Sequence, residues 1–333
     1  MKITILGSGT STGVPEIGCK CPVCTSNDPR DNRLRCSGLI ETEGVRILMD
    51  CGPDFREQMI RLNDFKPLDA VFISHEHYDH VGGLDDLRPF CRFRDVPVYA
   101  ERYTAERLRQ RIPYCFAEHL YPGVPRILLK EIVPDSPFTV GNSKEAKVEI
   151  IPVRVMHGKL PILGYRIGNM AWITDMLTMP ESEYELLNGL DVLVMNALRP
   201  QSHSTHQNLQ EALDNAKRIG AKETYFIHMS HHMGLHSEVE KLLPPHVHFA
   251  YDGEVISVGL TVGFNEYWQS PFSPHSSHLG VLAMHTYLPC KMSQWWAVGT
   301  ISFGMYFIRY FSVASGVVQV FGTKPMRWLT RKT

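Results

Sequence analysis

The chain has 333 residues, 44% hydrophobic and 21% charged, with a formal net charge of −1. That length accommodates one large domain plus an extension, or two modest domains. The near-neutral balance argues against a nucleic-acid surface built on wholesale phosphate neutralisation. Histidine, at sixteen, is the one unusual count, and the histidines are clustered.

Taken in chain order, "KITILGSG" predicts a strand running into a glycine-rich turn. "SGLIETEGVRILMDCG" predicts a hairpin around Glu43-Gly44, and "PDFREQMIRL" a helix with proline in its first turn. "LDAVFISH" predicts a buried strand, and "VPVYAERYTAERLRQRI" a strand followed by an amphipathic helix. From Pro113 to about Asn142 the prolines predict a looser region. Strands return with "AKVEIIPVRVMHG", "ILGYRIG", "MAWITD" and "DVLVMNAL". The helix "HQNLQEALDNAKRIG" follows, and "KETYFIHMSHHMG" and "HVHFAYDGEVISVG" close the series. Strand-rich halves with interleaved helices predict an α/β sandwich of sheets covered by helices.

Past about Gly263 the character changes, which divides the chain into 1–262 and an extension, 263–333. "NEYWQSPFSPHSSH" is linker-like, and Trp295 to Gly322 is mostly apolar with basic residues beyond it. A membrane helix needs about 20 apolar residues. Arg309, Gln319, four glycines and many β-branched residues count against one here. The expectation is a poorly ordered or peripherally packed tail, with at most a membrane contact. No secretory signal is visible at the N-terminus, so the expected compartment is the cytoplasm.

The chemistry concentrates in "HEHYDH". Alternate side chains of an extended segment point the same way, so His75 and His77 can converge on one cation while Asp79 and His80 turn toward a second position. Imidazole and carboxylate donors suit zinc, manganese or iron. Further polar residues end apolar runs downstream: His157, Asp175 and His228. Near the N-terminus "GCKCPVCTS" supplies Cys19, Cys21 and Cys24. Three thiolates need a fourth ligand to close a tetrahedral zinc site, and "HMSHH" offers His231 or His232. The remaining cysteines, Cys36, Cys51, Cys91, Cys115 and Cys290, read as reduced thiols. Asp50 and Asp54 read as supports of a turn near the metals, and Arg88, Arg92 and Arg94 as a phosphate-pocket lining or a solvated positive face.

HxHxDH after a strand, followed by His, Asp and His at later strand ends, resembles the metallo-β-lactamase-fold hydrolase superfamily over about residues 1–259. The resemblance implies an αββα sandwich with two divalent ions, zinc or manganese. His75, His77 and His157 would hold one ion, Asp79, His80 and His228 the other, and Asp175 would bridge both. Two ions about 3.5–4 Å apart generate a nucleophilic hydroxide between them at neutral pH. The cysteine cluster after strand one, "GSGTSTGVP" and "AYDG" resemble the phosphoribosyl cyclic phosphodiesterase (PhnP) group. There a Cys3His zinc clips the N-terminal loop, which makes His231 the fourth ligand and His232 the backup. In the same group a histidine in the setting of "HQNLQEA" acts on the phosphate or the leaving oxygen. His206 matches it, with His203 as runner-up.

The resulting expectation is a binuclear phosphodiesterase acting on a small, cyclic phosphodiester such as a ribose 1,2-cyclic phosphate, with catalysis by Asp79, Asp175 and His206. No nucleic-acid partner is expected, and a homodimer is compatible. The alternatives are an acyl hydrolase of the same fold, lactonase or thioesterase, and a catalytically silent metal-binding scaffold. A tRNA-processing endonuclease would carry a tRNA-grasping insertion, which is not identifiable in the sequence.

Overall fold

The computed structural model describes residues 1–141 and 146–259 in full, and the strands at 296–302, 305–314 and 317–325 by their backbone. The chain divides into two units, Met1–Gly263 and Phe264–Thr333. In the first unit, one seven-stranded sheet contains β1 (Lys2–Gly7), β2 (Ser37–Thr42), β3 (Val45–Met49), β4 (Ala70–Phe72), β5 (Val96–Glu101) and β6 (Ile127–Ile132), in that order across the sheet, with β14 (Val255–Ser257) beside β1. A second seven-stranded sheet contains β7 (Phe138–Val140), β8 (Val148–His157), β9 (Leu160–Ile167), β10 (Met170–Ile173), β11 (Val192–Asn196), β12 (Glu223–Ile227) and β13 (Val247–Phe249), also in chain order. "HVHFAYDGEVISVG" thus splits between the sheets, β13 closing one and β14 the other.

The period-two pattern of the strands explains the layering. Ile3, Ile5, Ile40 and Ile47 face the second sheet and meet Leu163, Tyr165 and Trp172 in the central core. Their neighbours Leu6, Leu39 and Leu48 face outward, under Phe55 of helix α1 (Phe55–Leu62) and Leu108 of α3 (Arg102–Arg111). Between these helices lies the single turn α2 (Tyr78–Val81). On the other outer face, Ala212, Ala216 and Ile219 of α4 (Leu209–Ile219) cover Leu193 and Phe226. A last short helix, α5 (His236–Val239), precedes β13. The outcome is the αββα sandwich anticipated from sequence.

Two departures have local causes. The proline-rich stretch expected to be loose contains β6 and β7, both edge strands, whose half-exposed apolar and polar residues give no clean buried run. In the second unit, β15 (Trp296–Ser302), β16 (Met305–Ala314) and β17 (Val317–Pro325) form an antiparallel sheet in which Val298 stands opposite Arg309. The β-branched residues that count against a membrane helix are the ones that favour strands. The sequence left the fold of this extension open, and its described residues form this sheet. No helix among the described residues is long and apolar enough to cross a membrane. The linker-like stretch and Cys290 lie outside the described residues.

Candidate metal centre

The predicted ligands stand where strands end. His75 follows β4, His157 ends β8, Asp175 follows β10 and His228 follows β12. Asp175 and His228 have φ values of 55° and 58°, and Asp50, directly after β3, has 55°. This left-handed backbone is uncommon for residues other than glycine and persists where the surrounding structure holds it, often at functional sites. Here it turns each polar side chain from strand direction into one pocket. The turn containing Gly52 packs against the helical turn of the histidine motif: a Cβ on Gly52 would lie 2.0 Å from the Asp79 carbonyl oxygen. Gly83, from the glycine pair ending "ISHEHYDHVGG", approaches the Gly52 carbonyl as closely.

Two donor groups result. One nitrogen each of His75, His77 and His157 lie within 4.8 Å of one another, and so do donors of Asp79, His80, Asp175 and His228. His75 Nε2 is 2.9 Å from His77 Nδ1. Asp175 stands between the groups, with Oδ1 3.3 Å from His80 Nε2 and 3.2 Å from His228 Nε2, and Oδ2 3.8 Å from His75 Nε2. Asp79 Oδ2 is 3.1 Å from His80 Nε2 and 3.5 Å from His228 Nε2. All except the exposed His77 are buried.

His206 joins this centre rather than standing apart. Its Nε2 is 3.0 Å from Asp175 Oδ2, and it forms a third donor group with His157 and Asp175. It lies two residues before the Asn208 N-cap of α4, whose capping box with Glu211 fixes the helix start.

The electrostatics fit divalent cations. Burial pushes His75 well below the ordinary histidine range, and His157 and His206 downward too, which leaves neutral rings with a lone pair to give. Burial would raise the Asp175 carboxyl, but the His228 and His80 rings outweigh it and hold it well below the usual range. Burial likewise disfavours charge on His80, yet Asp175, Asp79 and Asp50 together drive its pKa up. Three carboxylates gathered around one buried histidine mark a pocket short of positive charge. His80 Nε2, buried 3.1 Å from Asp79 Oδ2 and 3.3 Å from Asp175 Oδ1, makes no well-aligned hydrogen bond to either. A cation supplies both the charge and the partner.

Supporting contacts complete the centre. His80 Nδ1 is 2.8 Å from Asp50 Oδ2, and Asp50 also accepts from the Ser74 amide and hydroxyl. His157 Nδ1 donates to the carbonyls of Asp175 and Thr205. Thr174 Oγ1 donates to Asp175 Oδ1. Asn196 brackets Met176, donating to its carbonyl and accepting from its amide. Ser74, Thr174 and Asn196 were not anticipated from sequence; Asn196, a lone polar residue after the apolar run "DVLVM", carries the same signal that flagged Asp175. Asp50→Asn keeps the turn but loses the carboxylate that orients His80. Metal affinity, measured by competition with a chelator, is expected to fall about 10–100-fold.

The cysteine cluster also converges. Cys19, Cys21 and Cys24 and His231 bring their donors within 4.8 Å of one another, and His231 Nδ1 is 3.3 Å from both Cys19 Sγ and Cys21 Sγ. Contact with His231 is the main cause that brings the Cys21 thiol down to about 6, while burial raises Cys24 to about 11. Glu16 Oε2 meets the other ring nitrogen, Nε2, of His231 at 3.0 Å, the usual arrangement behind a metal-bound imidazole. His232 packs against His231 with its ring tilted by 38°, outside the group. Donors and geometry suit a closed tetrahedral zinc. Cys36, Cys51, Cys91 and Cys115 are free and buried. Two arginines of the suggested phosphate lining are engaged by acids, Arg88 by Asp85 and Arg94 by Asp69. Asp54 holds Arg35 instead of the histidine motif.

The chain is also similar to known proteins. Residues 45–229 match the family model of the beta-lactamase superfamily domain. A crystal structure of a diphosphatase from the PhnP family is 39% identical, with a TM-score of 0.69 over 77% of this chain and 96% of that one. The chain therefore belongs to the metallo-β-lactamase superfamily of metal-dependent hydrolases, and within it to the PhnP family. An octanoyltransferase of Porphyromonas gingivalis is 49% identical over 255 residues, 76% of this chain; the chain spans about half, 51%, of that relative's length. Zinc-bound PqqB from Methylobacterium extorquens shares the fold at 17% identity, with a TM-score of 0.63 over 78% of this chain and 100% of that one.

Proposed function

We propose that the chain is a phosphodiesterase acting on a small, cyclic phosphodiester of the ribose 1,2-cyclic phosphate kind. The observation that carries this reading is the position of Asp175, whose carboxylate touches both donor groups and the His206 ring. Bound divalent ions would lower the pKa of a water between them and neutralise charge growing on the phosphoryl oxygens. The protein's own part is geometric. His75, His77 and His157 would hold one ion and Asp79, His80 and His228 a second, with the Asp175 carboxylate in reach of both groups. His206 stands beside that centre, where a proton is needed by an oxygen leaving phosphorus. The 39% identical diphosphatase, which acts on phosphorus by its name, supports the choice of reaction centre.

The octanoyltransferase relative favours a second reading, hydrolysis of an acyl ester or thioester. Half of that protein has no counterpart in this chain, so the transferase activity can reside there. Turnover of bis(p-nitrophenyl) phosphate, measured beside a lactone and an octanoyl thioester, separates the two. Phosphodiester turnover is expected; turnover of the acyl substrates alone would reject the proposal.

A further inference from the structure

Beyond the metal centre and the cysteine cluster, one more group of imidazoles and carboxylates gathers at the opposite end of β12 from His228. Glu223 opens that strand. β13 runs parallel beside it, as the edge strand of the sheet, and brings two histidines to the same carboxylate. His246 Nδ1 lies 2.9 Å from Glu223 Oε1, and His248 Nε2 lies 3.0 Å from Glu223 Oε2. His246 sits at φ 68°, and its carbonyl accepts from the Thr224 amide. Left-handed backbone of this kind is uncommon outside glycine.

The other nitrogen of His248, Nδ1, lies 3.3 Å from Oε1 of Glu240, the residue after α5. Glu240 is itself anchored, since its Oε2 accepts from the Phe249 amide at 2.7 Å. A ring with one nitrogen on a fixed carboxylate and the other toward further donors is the usual setting of a metal-bound histidine. The charge around the rings runs the same way. Tyr225 stacks on His248 with ring centroids 5.0 Å apart. Burial above all, then Glu254, Glu223 and Glu240, push the Tyr225 hydroxyl up, so three carboxyls stand about this histidine pair. Lys222, next to Glu223, is engaged instead by Asp191 at 2.7 Å.

We propose that Glu223, His246 and His248 form a surface site for a divalent transition-metal ion such as zinc, with Glu240 orienting His248. Two imidazoles and a carboxylate are donors that zinc accepts. Each ring now faces its own oxygen of Glu223, so seating the ion requires that carboxylate to turn. The side chains of Glu223 and His246 are 38% and 70% exposed, which leaves room for the movement. The ion would pin the edge strand β13 to β12 and to the segment after α5, whose earlier end carries His231 of the cysteine cluster. Nothing in this site depends on which bond the active centre hydrolyses.

The test compares full-length wild type with His246→Ala/His248→Ala, both dialysed to equilibrium against the same free zinc and analysed for bound metal. The wild type is expected to hold one more zinc per chain, and zinc to raise its unfolding temperature further than that of the variant. Glu240→Gln keeps the hydrogen-bonding shape without the charge and should weaken zinc at this site about 10–100-fold. Crystals of the zinc-loaded wild type should show an anomalous peak among Glu223, His246 and His248. Equal zinc in wild type and double variant, or no peak at this position, would overturn the inference and leave His248 as a protonated clamp between two glutamates.

Discussion

Replacing Asp175 with alanine is expected to remove nearly all hydrolysis, by on the order of 10³-fold or more, since a single electrostatic group at a reaction centre is already worth about 10²–10³. The carboxylate touches His75, His80, His206 and His228 and accepts from Thr174. Its loss removes the one group common to every donor set around the centre except that of His75, His77 and His157. The fold should survive, because the sheets and their three apolar layers do not depend on it. Asp175 does sit at φ 55°, where alanine is less at ease than aspartate or asparagine. Asp175→Asn is therefore the companion variant: it keeps the backbone preference and removes only the charge. Both variants should show wild-type circular dichroism and greatly reduced turnover. Wild-type rates in either would contradict the mechanism.

Cys21→Ser is expected to cost one tightly held zinc per chain and a large part of the stability of the N-terminal loop. Structural zinc sites in small peptides are worth about 10–16 kcal/mol in apparent binding energy, although a clip on a preformed sandwich gives back only what ordering its own loop requires. The loop it holds is tied to the active centre. Met229 exchanges backbone hydrogen bonds with Ser8 and Thr10, and His231 follows His228 by three residues. Loosening the clip should therefore lower activity as well as metal content. Metal analysis after dialysis reads the first effect, thermal unfolding the second. Equal zinc content in variant and wild type would rule out the clip.

The sequence made the fold and the converging residues legible to different depths. The dense cluster from His75 to His80 is visible because so many donors in six consecutive residues at a strand end make a chance polar loop a weak explanation. His157, Asp175 and His228 are legible only as an ordered set, since a lone polar residue ending a strand usually caps or packs. Asp50 read as a support, and its contact with His80 makes it one. Ser74, Thr174 and Asn196 were missed because short polar side chains that orient a ligand look like any buried hydrogen-bonding residue until the partner is known. The arginines of "LRPFCRFR" read either as a phosphate lining or as a solvated positive face. Guanidinium suits phosphate, but the fold gave two of them nearer carboxylates, Asp85 and Asp69. The edge strands β6 and β7 escaped because edge strands lack the continuous apolar run that a periodicity reading relies on.

Anomalous diffraction from crystals of the zinc-loaded chain measures the central claim most directly. The account predicts two neighbouring peaks, one amid His75, His77 and His157 and one amid Asp79, His80 and His228, with Asp175 reaching both. A centre that stays free of metal at saturating zinc, or one whose single ion leaves Asp175 uncoordinated, would contradict it.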